Sequence, residues 1–276
     1  MRYKLTSGRL AEGWLHLSWF FPSKNQDNQY LSATSVPRAK RARENGVSEN
    51  NYKEKGYMMN TYQVYFGGDL FDHKDLIGNA LLASYIEKTS KGKYTCFLPQ
   101  TLDQSDATAL DIRNKDLIKI IECDLALFNF DGAEIDAGTV VEYTYAKFLD
   151  VPSVILRSDF RSSGEKDVGG DDWNLMCSFY PRTRIVQFSA IAYHQEAMNA
   201  GGSLSEAMDL LYTRIASLLI ENFDAILKET PVFKGDSSQL EAIYRWALTF
   251  PGGGLEKLCS ESLVQIIASK REKGLI

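Results

Sequence analysis

Between residues 62 and 188 short apolar runs alternate with longer segments of helical periodicity, and this alternation restricts the fold more than any other feature. The runs lie at 62–66, 93–98, 124–129, 152–156 and 184–188, and each has strand length. Between them, residues 72–89, 108–122 and 139–149 repeat apolar side chains at three- and four-residue spacing. Leu76, Ile77, Ala80, Leu81 and Ile86 form one such stripe, and Ile112, Leu117, Ile118 and Ile121 another. Asp72 stands where a helix N-cap belongs. Strand–helix alternation implies an α/β fold, a parallel sheet with helices on both faces. Five strands fit the order 2-1-3-4-5, a flavodoxin-like doubly wound sheet. In that order the first and third strands are neighbours at the switch point, where ligands bind beyond the strand C-termini.

The loops that leave those two strands are the richest in chemistry. Gly67-Gly68-Asp69-Leu70-Phe71 follows the first strand, and a glycine pair there lets a ligand approach the backbone. Asn129 to Glu142 follows the third. Gly132 and Gly138 read as turn residues in it, and the helix is expected to begin at Thr139. The loop carries Asp131, Glu134 and Asp136, and Glu142 lies on the first turns of the helix beyond. Asp131 and Glu134 read equally well as solvated loop charges. Asp136 and Glu142, six residues apart in the best-patterned part of the chain, read as functional. With Tyr65 at the end of the first strand and Asp116 on the second helix, they converge on the predicted crevice.

The rest of the sequence narrows the chemistry. His16, His73 and His194 are scattered, so no Ser-His-Asp arrangement can be assembled. Cys96, Cys123, Cys177 and Cys259 contain no CxxC pair and read as reduced thiols. No metal-ligand spacing and no phosphate-binding glycine loop is present, so neither a metal nor a cofactor is expected. Carboxylates remain. One can attack an anomeric carbon while a second protonates the leaving group.

Net charge is −5, which argues against nucleic acid as a partner of the whole chain. The charge is divided: residues 1–60 carry net +5, including the basic run 37–43, and the remainder −10. Residues 1–60 read as a basic, disordered leader. No apolar run approaches the roughly 18 residues of a membrane span, and a cytoplasmic protein is expected. Residues 61–200 read as the α/β domain. Residues 201–276 read as a helical extension, with helices near 203–228, 237–248 and 255–270 separated by Pro231 and by Pro251-Gly252-Gly253-Gly254. It is expected to pack on the sheet domain or on a partner subunit.

Over residues 61–190 the chain resembles the nucleoside 2-deoxyribosyltransferases. The residues that carry the resemblance are Tyr65-Phe66-Gly67-Gly68-Asp69-Leu70-Phe71; Asp116, Leu117, Ile120 and Asp124; Asp136-Ala137-Gly138-Thr139-Val140-Val141-Glu142; and Asn174-Leu175-Met176. The resemblance implies exchange of the base of 2′-deoxynucleosides through a deoxyribosyl ester on Glu142. It makes Tyr65 the hydrogen-bond donor that holds that carboxylate, and Asp116 the proton donor to the base, assisted by Asp136. Gly67 and Gly138 line the substrate site. Phe71 stacks near the base, and Gln100 or Gln104 contacts it. Asn174 and Met176 reach into a neighbouring subunit's pocket, Asn174 to the sugar 5′-hydroxyl, so the implied partners are 2′-deoxynucleosides, free bases and further copies of the chain. Two alternatives stay open. A deoxynucleoside 5′-monophosphate N-glycosidase has the same nucleophile and water as acceptor, with Arg157, Ser158, Arg161 and Ser162 available for a phosphate. A nucleotide-binding module without catalysis is the other.

Overall fold

The alternation closes into a sheet of five parallel strands, β1 (Tyr62–Gly67), β2 (Tyr94–Phe97), β3 (Leu125–Asn129), β4 (Ser153–Arg157) and β5 (Thr183–Gln187). Their order is β2-β1-β3-β4-β5, as the strand count and the crossover pattern predict. The computed structural model describes residues 60–102, 105, 107–159 and 173–276. The expectations for the leader, for Gln104 and for Arg161 and Ser162 fall outside them. Residues Tyr57–Ile276 form one compact unit.

The helices are α1 (His73–Thr89), α2 (Ala109–Glu122), α3 (Ala137–Phe148), α4 (Ala190–Ala200), α5 (Leu204–Ile226), α6 (Ser237–Thr249), α7 (Leu255–Cys259) and α8 (Leu263–Glu272). Local chemistry sets where they begin. Asp72 accepts from the backbone N–H groups of Lys74 and Asp75 at 2.7 and 3.1 Å, and Thr108 and Asp111 form a reciprocal capping box on α2. The sequence placed the inward face of α1 wrongly. Its buried residues are Asn79, Leu82, Ala83, Tyr85 and Ile86, while Ile77 is 61% exposed. Apolar residues surround most of α1, so periodicity leaves its rotation open. The side chain of Asn79, donating to the Asp69 carbonyl at 2.9 Å, accompanies the rotation adopted.

Alternating strand residues split the core into two layers. Val64, Phe66, Leu125, Leu127, Val154 and Leu156 face α1 and α5, and α5 contributes Ala216, Leu219 and Phe223. Tyr65, Ala126, Phe128 and Ile155 face the other way, toward α2 and α3. Outside α2 and α3, the last three helices add Leu240, Tyr244, Leu248, Leu255, Leu263 and Ile267 to that same core. The C-terminal helices thus pack on the sheet unit itself. Two features were not foreseen: α4, and the interruption at Ser260–Ser262 that divides residues 255–272 into α7 and α8. Below the sheet, Lys273 pairs with Asp124 at 2.7 Å and buried Lys270 donates to the Cys123 carbonyl, anchoring α8 under β3. Among the described residues, no helix is long and apolar enough to cross a membrane.

Because α5 supplies core to three strands, it should unfold with them. Phe223 is fully buried against Tyr94, with ring centroids 5.0 Å apart. Phe223→Ala is expected to lower stability by about 3–5 kcal/mol in a single urea transition reported alike by far- and near-UV circular dichroism. A separate, earlier transition for the C-terminal helices would contradict this reading.

Candidate active site

The site lies beyond the C-terminal ends of β1 and β3, where the sheet order reverses. Hydrogen-bonded pairing places Tyr65 opposite Ala126 and Gly67 opposite Phe128, so the β1 and β3 loops leave side by side. Glu142 enters from α3. A Cβ built on Gly67 would stand 2.7 Å from Glu142 Oε2 and 3.0 Å from the Phe128 ring. The missing side chain at 67 is therefore the space that the carboxylate occupies. Beneath it, Phe128 and Phe130 meet the buried Tyr143 ring edge-on at 5.4 and 5.5 Å, and this packing fixes the rotation of α3.

The electrostatics match that seat. Burial is the main reason that the Glu142 carboxyl is pushed up to about 8; the Tyr65 phenol opposes the shift, and Asp116 and Asp136 add to it. Burial also pushes Asp116 up to about 6. The Tyr65 phenol rises well above its usual value through burial, then through the charges of Glu142 and Asp116. These mutual shifts place Tyr65, Asp116, Asp136 and Glu142 around one space. Among the described residues, Tyr65 Oη and Asp116 Oδ1 are buried with no well-formed hydrogen-bond partner. The phenol is thus near enough to stabilise the Glu142 carboxylate without making a well-formed bond to it. Buried polar atoms left open in this way point to a ligand or a poised catalytic contact.

The remaining expected residues divide. Asp136 is in the site, but its carboxylate is also the N-cap of α3: Oδ2 accepts from Thr139 N at 2.7 Å and from Thr139 Oγ1 at 3.0 Å. The helix accordingly begins at Ala137, not Thr139. Gly138 is not a turn residue. It lies in the first turn of α3, and a Cβ there would stand 2.9 Å from Asp136 Oδ2. Gly132, with φ of 111°, does turn the loop. Phe71 is 76% exposed on the β1–α1 loop. Asn174 accepts from Met176 N at 2.9 Å and starts a short 3-10 turn, leaving Met176 78% exposed beside the fully buried Trp173. Gln100 has its amide engaged within the chain. It donates to the Leu76 carbonyl at 2.7 Å and so ties the β2–α2 loop to α1.

Two loop readings are corrected. Asp131 is no solvated charge: it accepts from Ser158 N, Ser158 Oγ and Asp159 N at 2.5, 2.6 and 2.8 Å. Arg157 is fully buried and donates to the carbonyls of Phe130 and Gly132, the latter at 3.0 Å. Both side chains brace the β3–α3 loop, and Arg157 has no exposed surface to offer a phosphate. Asp69 was missed. Its carboxyl is raised by burial and by Asp136, Asp75, Asp131 and Asp72, which marks the mouth as a cluster of negative charge. Its place directly after the glycine pair was the available signal.

A parallel five-stranded sheet with a carboxylate seated at its switch point defines a carboxylate-based α/β site. Residues 64–198 match the family model described as nucleoside 2-deoxyribosyltransferase, so this segment of the chain is similar to that family. Similar solved structures include a conserved protein from Enterococcus faecalis V583, 22% identical, covering 60% of this chain and 98% of the other at a TM-score of 0.37. A 2-desoxiribosyltransferase from Leishmania mexicana is 20% identical over 45% of this chain and 89% of its own, with a TM-score of 0.37. A 2-deoxyribosyltransferase from Bacillus psychrosaccharolyticus is 17% identical over 46% and 85%, with a TM-score of 0.34. A search of curated proteins finds no match.

The seat of Glu142 has a consequence for stability. Burial pushes its carboxyl up to about 8 in the folded chain, from an ordinary value of 4.5. Between those values the folded state holds a proton that the unfolded state has released, so stability falls as pH rises through this window. Glu142→Gln carries no such charge. It is expected to melt above the parent at pH 8, with a gap of a few kcal/mol that closes toward pH 5. Equal melting curves across that range would show that the carboxylate is solvated.

Proposed function

We propose that this chain is a nucleoside 2-deoxyribosyltransferase, moving 2-deoxyribose from one base to another. The observation that carries the reading is the seat of Glu142: a carboxylate over Gly67, beside the Tyr65 phenol, within the field of Asp116 and Asp136. In the first half-reaction a Glu142 oxygen bonds to C1′ as the C1′–N bond breaks. The electron pair leaves with the base, and Asp116 supplies the proton that neutralises it. In the second, a different base attacks C1′, Glu142 departs as carboxylate, and the incoming nitrogen returns its proton to Asp116. Tyr65 stabilises the carboxylate in both directions. Asp136, held by its cap to α3, adds negative charge that favours a proton on its neighbours.

Burial pushes both Glu142 and Asp116 above the ordinary carboxylate range, so the site retains a proton near neutral pH. Between roughly pH 6 and pH 8 the pair carries one proton, which is the state the chemistry needs. A bound base offers that proton an acceptor at Asp116, while positive charge developing at C1′ favours ionised Glu142.

A free nucleoside suits the mouth better than a nucleoside monophosphate. Asp69, Asp72, Asp75, Asp131 and Asp136 surround the approach with negative charge. Arg157 and Ser158 are engaged in the loop brace. We further read exposed Asn174 and Met176 as a contribution to a neighbouring copy's pocket, since each points away from its own core.

Incubation with deoxyuridine and adenine is expected to yield deoxyadenosine and uracil, and quenching with deoxyuridine alone to add one deoxyribosyl mass to the peptide that contains Glu142. Glu142→Gln should lose both. Uracil released from deoxyuridine monophosphate, with no exchange from deoxyuridine, would replace the transferase by the hydrolase. The pH dependence of kcat should be bell-shaped. It falls below about pH 6, where both carboxyls are protonated, and above about pH 8, where both are ionised. A profile flat from pH 5 to pH 9 would rule out the shared proton.

A further inference from the structure

Pro251-Gly252-Gly253-Gly254, the turn between α6 and α7, is far from Asp116 in sequence but bonds to Arg113 and Asn114, three and two positions before it on α2. Asn114 Nδ2 donates to the Gly253 carbonyl at 2.9 Å. Arg113 Nη1 donates to the Pro251 carbonyl and Nη2 to the Gly252 carbonyl, both at 3.1 Å. Arg113 also donates to Asn114 Oδ1 from Nε at 3.2 Å and from Nη2 at 2.7 Å. Three consecutive carbonyls of one turn are thus read by two adjacent side chains of α2. Asn114 is only 2% exposed, so its amide has no solvent to turn to.

The turn has a backbone that only glycine adopts readily. Gly252, Gly253 and Gly254 have φ of 64°, 64° and 75°. A run of three left-handed residues is strained for any L side chain and aims successive carbonyls at α2. Space is lacking as well: a Cβ on Gly253 would stand 2.6 Å from both Arg113 Nη2 and Leu110 Cδ1. Tyr145 Oη donates to the Ala247 carbonyl at 2.8 Å, so the same end of α6 also grips α3, the helix of Glu142.

We propose that this glycine turn is a positioning device for the site, with Asn114 and Arg113 fixing the height and rotation of α2 and therefore the place of Asp116 opposite Glu142. The inference rests on the reading of Asp116 and Glu142 as a working pair. One residue of slip along a helix is 1.5 Å and 100°, so bonds at positions 113 and 114 leave position 116 little freedom. Displacements near 1 Å at a reacting group cost about a hundredfold in rate. The C-terminal helices, which lie outside the segment matched by the family, would then be part of what makes this crevice work.

The test compares the parent with Asn114→Ala, Gly253→Ala and Leu219→Ala. Leu219 is buried in the opposite core layer and controls for general loss of stability. The Asp116 carboxyl is followed by carbon NMR titration, and kcat and KM for deoxyuridine–adenine exchange are measured over pH. Asn114→Ala and Gly253→Ala are expected to lower the Asp116 midpoint by about one unit as the side chain gains solvent. Their kcat should fall about tenfold or more, with KM for deoxyuridine near the parent value. Leu219→Ala should leave the midpoint and the kcat profile unchanged. Should either substitution prevent folding, Arg113→Ala, at an exposed position, asks the same question. An Asp116 midpoint identical to the parent in the turn variants would overturn the proposal, as would the same shift in Leu219→Ala. If the parent shows no base exchange, the transferase reading fails, and the titration still decides whether the turn positions Asp116.

Discussion

A carboxylate placed in a half-dry crevice beside two others is an arrangement that a folded chain must hold against its own electrostatics. Burial raises Glu142, and Asp116 and Asp136 raise it further. Much of the local architecture can be understood as what keeps that group in place. Gly67 leaves the space, and Phe128 with Tyr143 sets the rotation of α3. Asp136 caps the helix whose sixth residue is Glu142. The cap places a negative charge at a helix N-terminus, where it is stabilised, and the same charge makes its neighbours hold a proton. Structure and chemistry thus draw on one side chain.

The fold was legible because two independent signals agreed. Strand-length apolar runs and the helical segments between them specify a parallel sheet, and right-handed crossovers then leave few orders for five strands. Topology accounts for the nearness of Tyr65, Asp136 and Glu142, because β1 and β3 are neighbours, while Asp116 comes alongside on α2. Other roles were hidden for a physical reason. Asp131, Arg157, Ser158 and Gln100 look like surface polar residues in a linear reading; Asp131, Arg157 and Gln100 are each spent on a backbone group distant in sequence, and the Ser158 hydroxyl on the Asp131 carboxylate. Which carbonyl or amide a polar side chain satisfies is a tertiary fact. The same holds for the face of α1, where apolar residues on several sides left the choice to packing.

The loop after β3 shows how such hidden bonds matter. Its backbone turns at Gly132, and its first three residues are tied to the end of the neighbouring strand, through Arg157 to Phe130 and Gly132 and through Asp131 to Ser158 and Asp159. A buried guanidinium that donates to loop carbonyls holds a polar segment in a fixed shape without an apolar core. The loop can then deliver Asp136 to the helix start in one position. Residues that might have bound an anion instead build the wall of a site whose mouth is acidic.

The C-terminal helices meet the matched segment close to this crevice. Tyr65, Asp116 and Glu142 all lie within that segment. Asp116 comes on α2, whose inner side packs through Leu117, Ile120 and Ile121 into the core that it shares with α3 and the sheet. Its other side is held by the Pro251–Gly254 turn, through bonds that only a left-handed backbone can present in succession. Apolar packing resists separation of a helix from a sheet but opposes sliding only weakly, because dispersion contacts are non-directional. Directional bonds at Arg113 and Asn114 supply that missing restraint. Where a proton must sit on one carboxyl and be absent from its neighbour, restraint along the helix axis is what keeps the two environments distinct.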